Sequence, residues 1–172
     1  MNPLELRRRE DLRRVRALCE RSGGRLDVLS ADAQAPNEIR LRVRLRVALD
    51  GSYPMRAGDA VDLRIVIPAG YPLRDGPRSF VSPAVWHPNV FPDGQVCQGR
   101  TWRVSEFLDL YVERILRILT FQDDGVNLQS VANAQAATWY RAARARAPHA
   151  FPTDALAALR APERRVGWQD AG

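Results

Sequence analysis

A turn-rich stretch between Trp86 and Trp102 most strongly limits how this chain can fold. It reads WHPNVFPDGQVCQGRTW, and its many prolines, glycines, asparagines and aspartates exclude a regular helix or a central strand. The stretch also carries large apolar side chains, which are normally buried. A buried, irregular loop that holds one thiol, Cys97, beside one amide, Asn89, is costly to build. The loop therefore predicts a functional site.

The chain before this loop reads as one helix followed by four strands. An apolar stripe at helical spacing predicts an amphipathic helix over residues 4–22, and Cys19 lies on that stripe as an expected core residue. Residues 39–47 alternate between apolar side chains and arginines, which is typical of a strand with one buried face. Short turns then predict an antiparallel meander with further strands at 25–30, 60–67 and 78–81.

Helices follow the loop. Ser105 is a favourable N-cap for a helix over 106–121, whose large apolar residues recur at helical spacing. An alanine-rich helix is predicted over 129–147, where Pro148 would end it. A last short helix is predicted over 153–160. Helices segregated from an antiparallel sheet define the α+β class.

Length and composition indicate one domain. The chain has 172 residues, of which 45% are hydrophobic and 27% charged, and we expect a domain over 1–150 with a C-terminal extension over 151–172. No apolar run reaches the ~18 residues of a membrane span, and the charged N-terminus does not resemble a secretory signal. Cys19 and Cys97 make no disulfide framework, so a reducing cytoplasm is predicted. We expect no cofactor, and the cysteines and histidines lack the short spacings of a metal site.

The basic residues are unusual. The net charge is +6, and all 26 positive side chains are arginines, because the chain has no lysine. This charge favours an acidic partner surface without selecting its class. An arginine ladder along 39–47 could contact nucleic acid, but no aromatic residues interleave with it, so nucleic acid is an unlikely partner.

The loop resembles the active-site loop of ubiquitin-conjugating enzymes. His87-Pro88-Asn89 matches their His-Pro-Asn tripeptide, and Cys97 follows Asn89 by eight positions, as the nucleophilic cysteine does there. The flanks are also similar to the family at Tyr71-Pro72, Pro77, Phe80, Trp102 and Leu128. The segment from Cys97 to Trp102 is a few residues shorter than in common members. Matching elements run from about residue 4 to 147.

The resemblance implies the ubiquitin-conjugating-enzyme fold and a thioester carrier. Cys97 would attack as a thiolate and hold a ubiquitin-like protein as a thioester before its transfer to an acceptor protein. Asn89 would either stabilise the oxyanion or brace the loop, and His87 would be mainly structural rather than a base. An activating-enzyme-like adenylating protein would dock on the basic first helix, for which the candidate residues are Arg7, Arg8, Arg13 and Arg14.

The chain departs from the family where the acceptor lysine would be activated. In the family, an Asp or Ser in the loop after the second helix often deprotonates and positions the acceptor lysine. The matching positions here are approximately Gly125 and Val126, whose side chains cannot do so. Asp123 and Asp124 precede them and are candidate substitutes. Two explanations account for the lack of lysine. One is GC-rich codon usage, and the other is that a thioester carrier without lysine has no side-chain amine that its own acyl group could modify.

The all-arginine composition and the loose match elsewhere predict a bacterial member, and the resemblance implies a ubiquitin-like conjugation pathway of antiphage defence. Two alternatives remain. The chain could be a non-catalytic binding module of the same fold. It could also be a hydrolase that uses Cys97, His87 and Asn89, although papain-like enzymes place the histidine far from the cysteine in sequence.

Overall fold

A computed structural model describes residues 2–156. Along the chain, α1 (Pro3–Arg21) precedes the sheet, and α2 (Leu108–Leu119) and α3 (Ala134–Arg146) follow it. Short 3-10 helices lie at Asp123–Gly125 and Pro148–Ala150. The strands are β1 (Leu26–Ala31), β2 (Glu38–Val43), β3 (Val61–Val66) and β4 (Arg78–Ser82), paired antiparallel in the order β1-β2-β3-β4. The predicted α+β ubiquitin-conjugating-enzyme fold is confirmed.

Helix α1 forms where the sequence predicts it. Its N-terminus has a capping box, in which the side chain of Asn2 accepts from the backbone of Glu5 and the Glu5 carboxylate accepts in return. This pairing satisfies backbone donors that a helix start otherwise leaves free. Leu12, Val15 and Leu18 are buried, and Cys19 packs against the same core. Cys19 is therefore a core residue, as predicted.

Strand β2 is shorter than the predicted strand over 39–47, because it ends at Val43. Beyond it the backbone of Arg46 bonds to the C-terminal segment instead of a neighbouring strand. Its N–H donates to Asp154 Oδ2 at 3.3 Å, and its carbonyl accepts from Thr153 Oγ1 at 2.5 Å. Buried apolar residues still alternate with arginines beyond Val43, although the hydrogen bonds between strands stop there. The pattern thus predicted which side chains are buried, but not where the strand ends.

The predicted N-cap of α2 is wrong. The helix begins at Leu108 rather than at 106, Phe107 occupies the N-cap position without a side-chain cap, and Ser105 is exposed. The cap comes instead from α1, where Asp11 Oδ1 accepts from the Leu108 N–H at 2.9 Å. A carboxylate at a helix N-terminus also interacts favourably with the helix dipole. This cap ties the two helices together.

The predicted helix over 129–147 starts five residues late, at Ala134, with Asn133 as its N-cap. The residues before it are held against the loop of the candidate site, where the backbone N–H groups of Ala132 and Asn133 donate to the carbonyl of Pro88 at 2.7 and 3.0 Å. These bonds are incompatible with continuing the helix toward residue 129. They also fix α3 relative to the loop.

The described C-terminal residues pack onto the domain. Phe151 lies in an aromatic cluster with Phe121 and Tyr140, and Leu156 is buried in the main core. Residues 153–156 are not helical, and the rest of the helix predicted over 153–160 lies outside the described residues. The division of the chain at residue 150 stays a prediction.

Candidate active site

The loop between β4 and α2 folds back on itself as a short hairpin. Val90 and Val96 form an isolated antiparallel bridge, and Phe91 N–H donates to the Gln95 carbonyl at 2.8 Å. The turn requires glycine at Gly94, whose φ is 88° and where a Cβ would lie 2.2 Å from the Val81 carbonyl oxygen. The hairpin brings Asn89 next to the residues that follow Val96.

Asn89 braces this loop against the segment after α2. Its Nδ2 donates to the carbonyls of Asn127 and Ser130 at 2.9 and 3.0 Å, and its Oδ1 accepts from the Asn127 N–H at 2.8 Å. The side chain is buried, and both amide hydrogens have backbone partners. In this arrangement the amide holds two loops together and has no hydrogen left for an oxyanion.

Cys97 is held directly by the same residue. Its N–H donates to the Asn89 carbonyl at 2.8 Å, and the thiol is free and partly buried. It lines an open groove of about 280 Å³. The other lining residues come from the loop, the C-terminal half of α2 and the segment after it: Asn89, Gln98, Arg100, Arg114, Arg117, Ile118, Asp124, Gly125 and Asn127.

His87 lies beneath the loop and outside this groove. It is fully buried, its Nδ1 accepts from the Asn89 N–H at 2.9 Å, and its ring lies 4.3 Å from that of Phe121. Burial lowers the pKa of this imidazole to about 3, so the ring is neutral. Because Nδ1 accepts, Nε2 carries the hydrogen, and within residues 2–156 it has no partner. This geometry supports a structural role for His87.

The segment after Cys97 is anchored at its far end. Trp102 packs its ring 5.4 Å from that of Tyr71 and donates its Nε1–H to the carbonyl of Pro72 at 2.9 Å. Gly76 is required there, because a Cβ would lie 2.7 Å from Trp102. The Tyr-Pro segment recognised in the sequence therefore fixes the end of the shortened flank.

Glu106 is a functional candidate that sequence reasoning missed. Its carboxylate is nearly buried and accepts from Arg100 at 2.9 and 3.0 Å and from Arg114. Arg114 in turn donates to Gln98 Oε1 at 2.9 and 2.6 Å, next to Cys97. No local spacing signals this cluster, because packing of the flank against α2 creates it.

The residues after α2 place one carboxylate at the groove. Asp124 lines it and forms a two-point contact with Arg117 at 2.7 to 2.9 Å, which lowers the pKa of Asp124. Asp123 points elsewhere, toward Arg144. Gly125 is tightly enclosed, since a Cβ would lie 2.4 Å from the Arg117 carbonyl oxygen. A side chain there is sterically excluded.

The four arginines of α1 predicted to bind a partner differ in their contacts. Arg7 and Arg8 turn toward the domain: Arg7 binds Asp11 and the Val104 carbonyl at 2.9 and 2.8 Å, and Arg8 binds Asn37 and the carbonyl of Pro68. Arg13 and Arg14 remain at the surface, where both pair with Glu10. Partner binding by these four residues stays a prediction.

Most arginines of the ladder predicted along 39–47 are paired with carboxylates. The pairs are Arg40–Glu38 and Arg42–Asp62 on β2 and Arg44–Asp27 just beyond it. Such pairs reduce the positive potential that nucleic acid would contact. Within residues 2–156 no three metal-ligating side chains form a cluster, and no helix is long and apolar enough to cross a membrane.

The fold matches that of ubiquitin-conjugating enzymes. The chain is also similar in sequence to a curated relative, with 30% identity over 76 residues to a ubiquitin-conjugating enzyme E2 of African swine fever virus. The match covers 38% of this chain, and the chain spans about a third (34%) of the length of that relative. No model of a protein family matches the chain.

Proposed function

We propose that the chain is a ubiquitin-conjugating-like enzyme that accepts a ubiquitin-like protein from an activating enzyme as a thioester on Cys97 and passes it to an acceptor protein. The observation that carries this proposal is the position of Cys97, a free thiol on an open groove whose backbone is fixed by the Asn89 brace. The second thiol is a poor competitor, because burial raises the pKa of Cys19 to about 11.

The proposed chemistry is thioester exchange. The Cys97 sulfur, as thiolate, attacks the donor's thioester carbonyl and forms a new C–S bond; the old C–S bond then breaks and the activating enzyme's thiol leaves with the electron pair. An acceptor amine later attacks the same carbonyl and loses its proton, and Cys97 leaves as thiolate. Neither step needs an oxidant or a reductant.

Asp124 is our candidate for positioning the acceptor amine. It is the one carboxylate among the described residues lining the groove, and a carboxylate can hydrogen-bond an incoming ammonium or amine. Its pairing with Arg117 keeps it ionised. This assignment replaces the family's usual position at Gly125, where a side chain does not fit.

Docking of the activating enzyme is proposed on α1, at Arg7, Arg8, Arg13 and Arg14. Arg13 has the most exposed side chain in the ion pairs of that helix (69%), which supports its availability. As the biological setting we propose a bacterial antiphage conjugation pathway in the cytoplasm. The arginine-only composition supports a bacterial source, and the antiphage pathway is proposed from the resemblance. The setting is tested by searching beside the gene for this chain for a gene that encodes an adenylating enzyme.

A non-reducing gel tests the carrier function. The protein is mixed with a candidate activating enzyme, a ubiquitin-like protein and ATP, and then analysed with and without thiol reductant. We expect a reductant-sensitive adduct on the wild type, none on Cys97→Ala, and a reductant-resistant adduct on Cys97→Lys. An adduct that survives Cys97→Ala would move the site to Cys19 or elsewhere.

The same experiment separates the alternatives. A binding module would form no adduct with any cognate pair. A hydrolase would need a base at the thiol, but His87 is buried, neutral and outside the groove. The geometry therefore favours the carrier over the Cys–His–Asn hydrolase.

A further inference from the structure

The groove that holds Cys97 is cationic. Among the described residues, three arginines line it (Arg100, Arg114 and Arg117), against one lining carboxylate, Asp124. The nearly buried Glu106 adds a second negative charge, paired with Arg100 and Arg114. Counted over residues 2–156, three positive charges against two leave an excess of one positive charge in the groove.

The excess is concentrated on Arg100. Arg114 uses all three of its guanidinium nitrogens on Gln98 and Glu106, and Arg117 uses two of its three on Asp124. Arg100 contacts Glu106 through Nη2 alone, and its side chain is 46% exposed. Within residues 2–156 its Nε and Nη1 have no partner, so Arg100 keeps unpaired N–H donors three residues from Cys97.

We infer that the acyl donor of Cys97 carries an acidic side chain within the last few residues before its C-terminal carbonyl. This inference rests on the proposed thioester function and specifies its substrate. The donor tail must enter the groove to bring its carbonyl to the thiol. A guanidinium with unpaired N–H donors forms charge-assisted hydrogen bonds with a carboxylate, and a basic tail would be repelled by the excess charge.

Synthetic donors test the charge preference without knowledge of the natural partner. The probes are short acetylated peptide thioesters of 2-mercaptoethanesulfonate, identical except for one residue near the C-terminus, which is Glu, Gln or Arg. Intact-mass spectrometry follows acylation of Cys97, with Cys97→Ala as the background. In each case the peptide carbonyl moves from one sulfur to the other, and 2-mercaptoethanesulfonate leaves as thiolate.

We expect the Glu peptide to react about tenfold faster than the Arg peptide at low ionic strength, with the Gln peptide between them. The difference should shrink as salt screens the charges. Arg100→Gln should remove most of the preference, and Arg100→Glu should reverse it. Arg56→Gln is the matched control, because Arg56 is 80% exposed and does not line the groove; it should keep the wild-type preference.

Two failures are distinguishable. Equal rates for all three peptides, or a preference unchanged by Arg100→Gln, would overturn the acidic-tail inference while Cys97 remained an acyl acceptor. No Cys97-dependent acylation by any peptide would contradict the carrier function itself, and the inference would fall with it.

Discussion

Burial of a single imidazole links the candidate site to the stability of the fold. His87 is enclosed beneath the loop that holds Cys97 and keeps its proton on Nε2, since Nδ1 accepts the Asn89 N–H. The neutral ring packs against Phe121. A charged ring would lose both its acceptor nitrogen and its compatibility with the apolar surroundings. His87 therefore supports the Cys97 loop only while neutral.

This burial predicts a loss of stability in mild acid. The pKa of His87 is lowered to about 3, whereas an unfolded histidine titrates near ~6.5. The unfolded state therefore binds a proton that the folded state does not, and stability falls as pH drops from 6.5 toward 3. Between pH 7.5 and 5 the loss is roughly 2 kcal/mol, and it should be absent in His87→Asn, which keeps a hydrogen-bond acceptor.

Chemical denaturation of the wild type and variants at the two pH values measures this loss. His149→Asn is the matched control, because it removes the exposed histidine and should leave the wild-type dependence on pH. If His87→Asn loses as much stability as the wild type does, the buried imidazole is not the cause.

The elements of the fold are joined by a buried carboxylate. Asp11 of α1 is fully buried and accepts from the hydroxyl of Tyr71 at 2.6 Å, from Arg7 at 2.9 Å and from the N–H of Leu108 at 2.9 Å. Burial raises the pKa of Asp11, and these donors oppose that shift. One side chain thus connects the first helix, the Tyr-Pro segment and the start of α2.

We predict that Asp11→Ala lowers the free energy of unfolding by about 3 kcal/mol, because it removes the charged partner of the mostly buried Arg7 and leaves two further donors, the Tyr71 hydroxyl and the Leu108 N–H, unpaired. Asp11→Asn should cost less, since it keeps the size and one acceptor. Glu10→Ala is the control: Glu10 is the neighbouring carboxylate, and its pairs with Arg13 and Arg14 lie at the surface, so its loss should cost within about 1 kcal/mol. Urea denaturation compares the three variants, and equal effects at the two positions would refute the joining role of Asp11.

The same contacts explain which element boundaries the sequence predicts. Helix α1 ends where expected, because its capping box and its apolar stripe are local signals. The starts of α2 and α3 and the end of β2 are set by partners distant in the chain: Asp11, Pro88 and Asp154 respectively. No local pattern contains these contacts.

The candidate site also combines features that the sequence predicts with features that only the folded structure shows. Its thiol, amide and imidazole share one loop, so their type and spacing are visible in the sequence. Glu106 and the arginines it binds meet only when the flank packs against α2. The direction of the Asn89 amide, toward backbone carbonyls rather than toward the thiol, also depends on the loop after α2.

Because the chain has no lysine, no lysine amine lines the groove. The three cations that line it among the described residues are guanidiniums, which stay protonated and are poor nucleophiles. A thioester on Cys97 would therefore face cations that cannot consume it. Codon usage alone would produce the same composition, so the two explanations need an experiment that separates them.

Arg117→Lys provides that experiment, because it replaces a groove-lining guanidinium with an amine. We predict that the variant, once loaded on Cys97, converts its reductant-sensitive adduct into a reductant-resistant one by transfer of the acyl group to the new amine. The conversion should accelerate as pH rises, since the attacking amine must be deprotonated. Arg56→Lys places an amine on a side chain outside the groove and should keep the adduct reductant-sensitive, as should the wild type. If Arg117→Lys stays as sensitive to reductant as the wild type, the lack of lysine near Cys97 does not protect the thioester, and codon usage is the sufficient explanation.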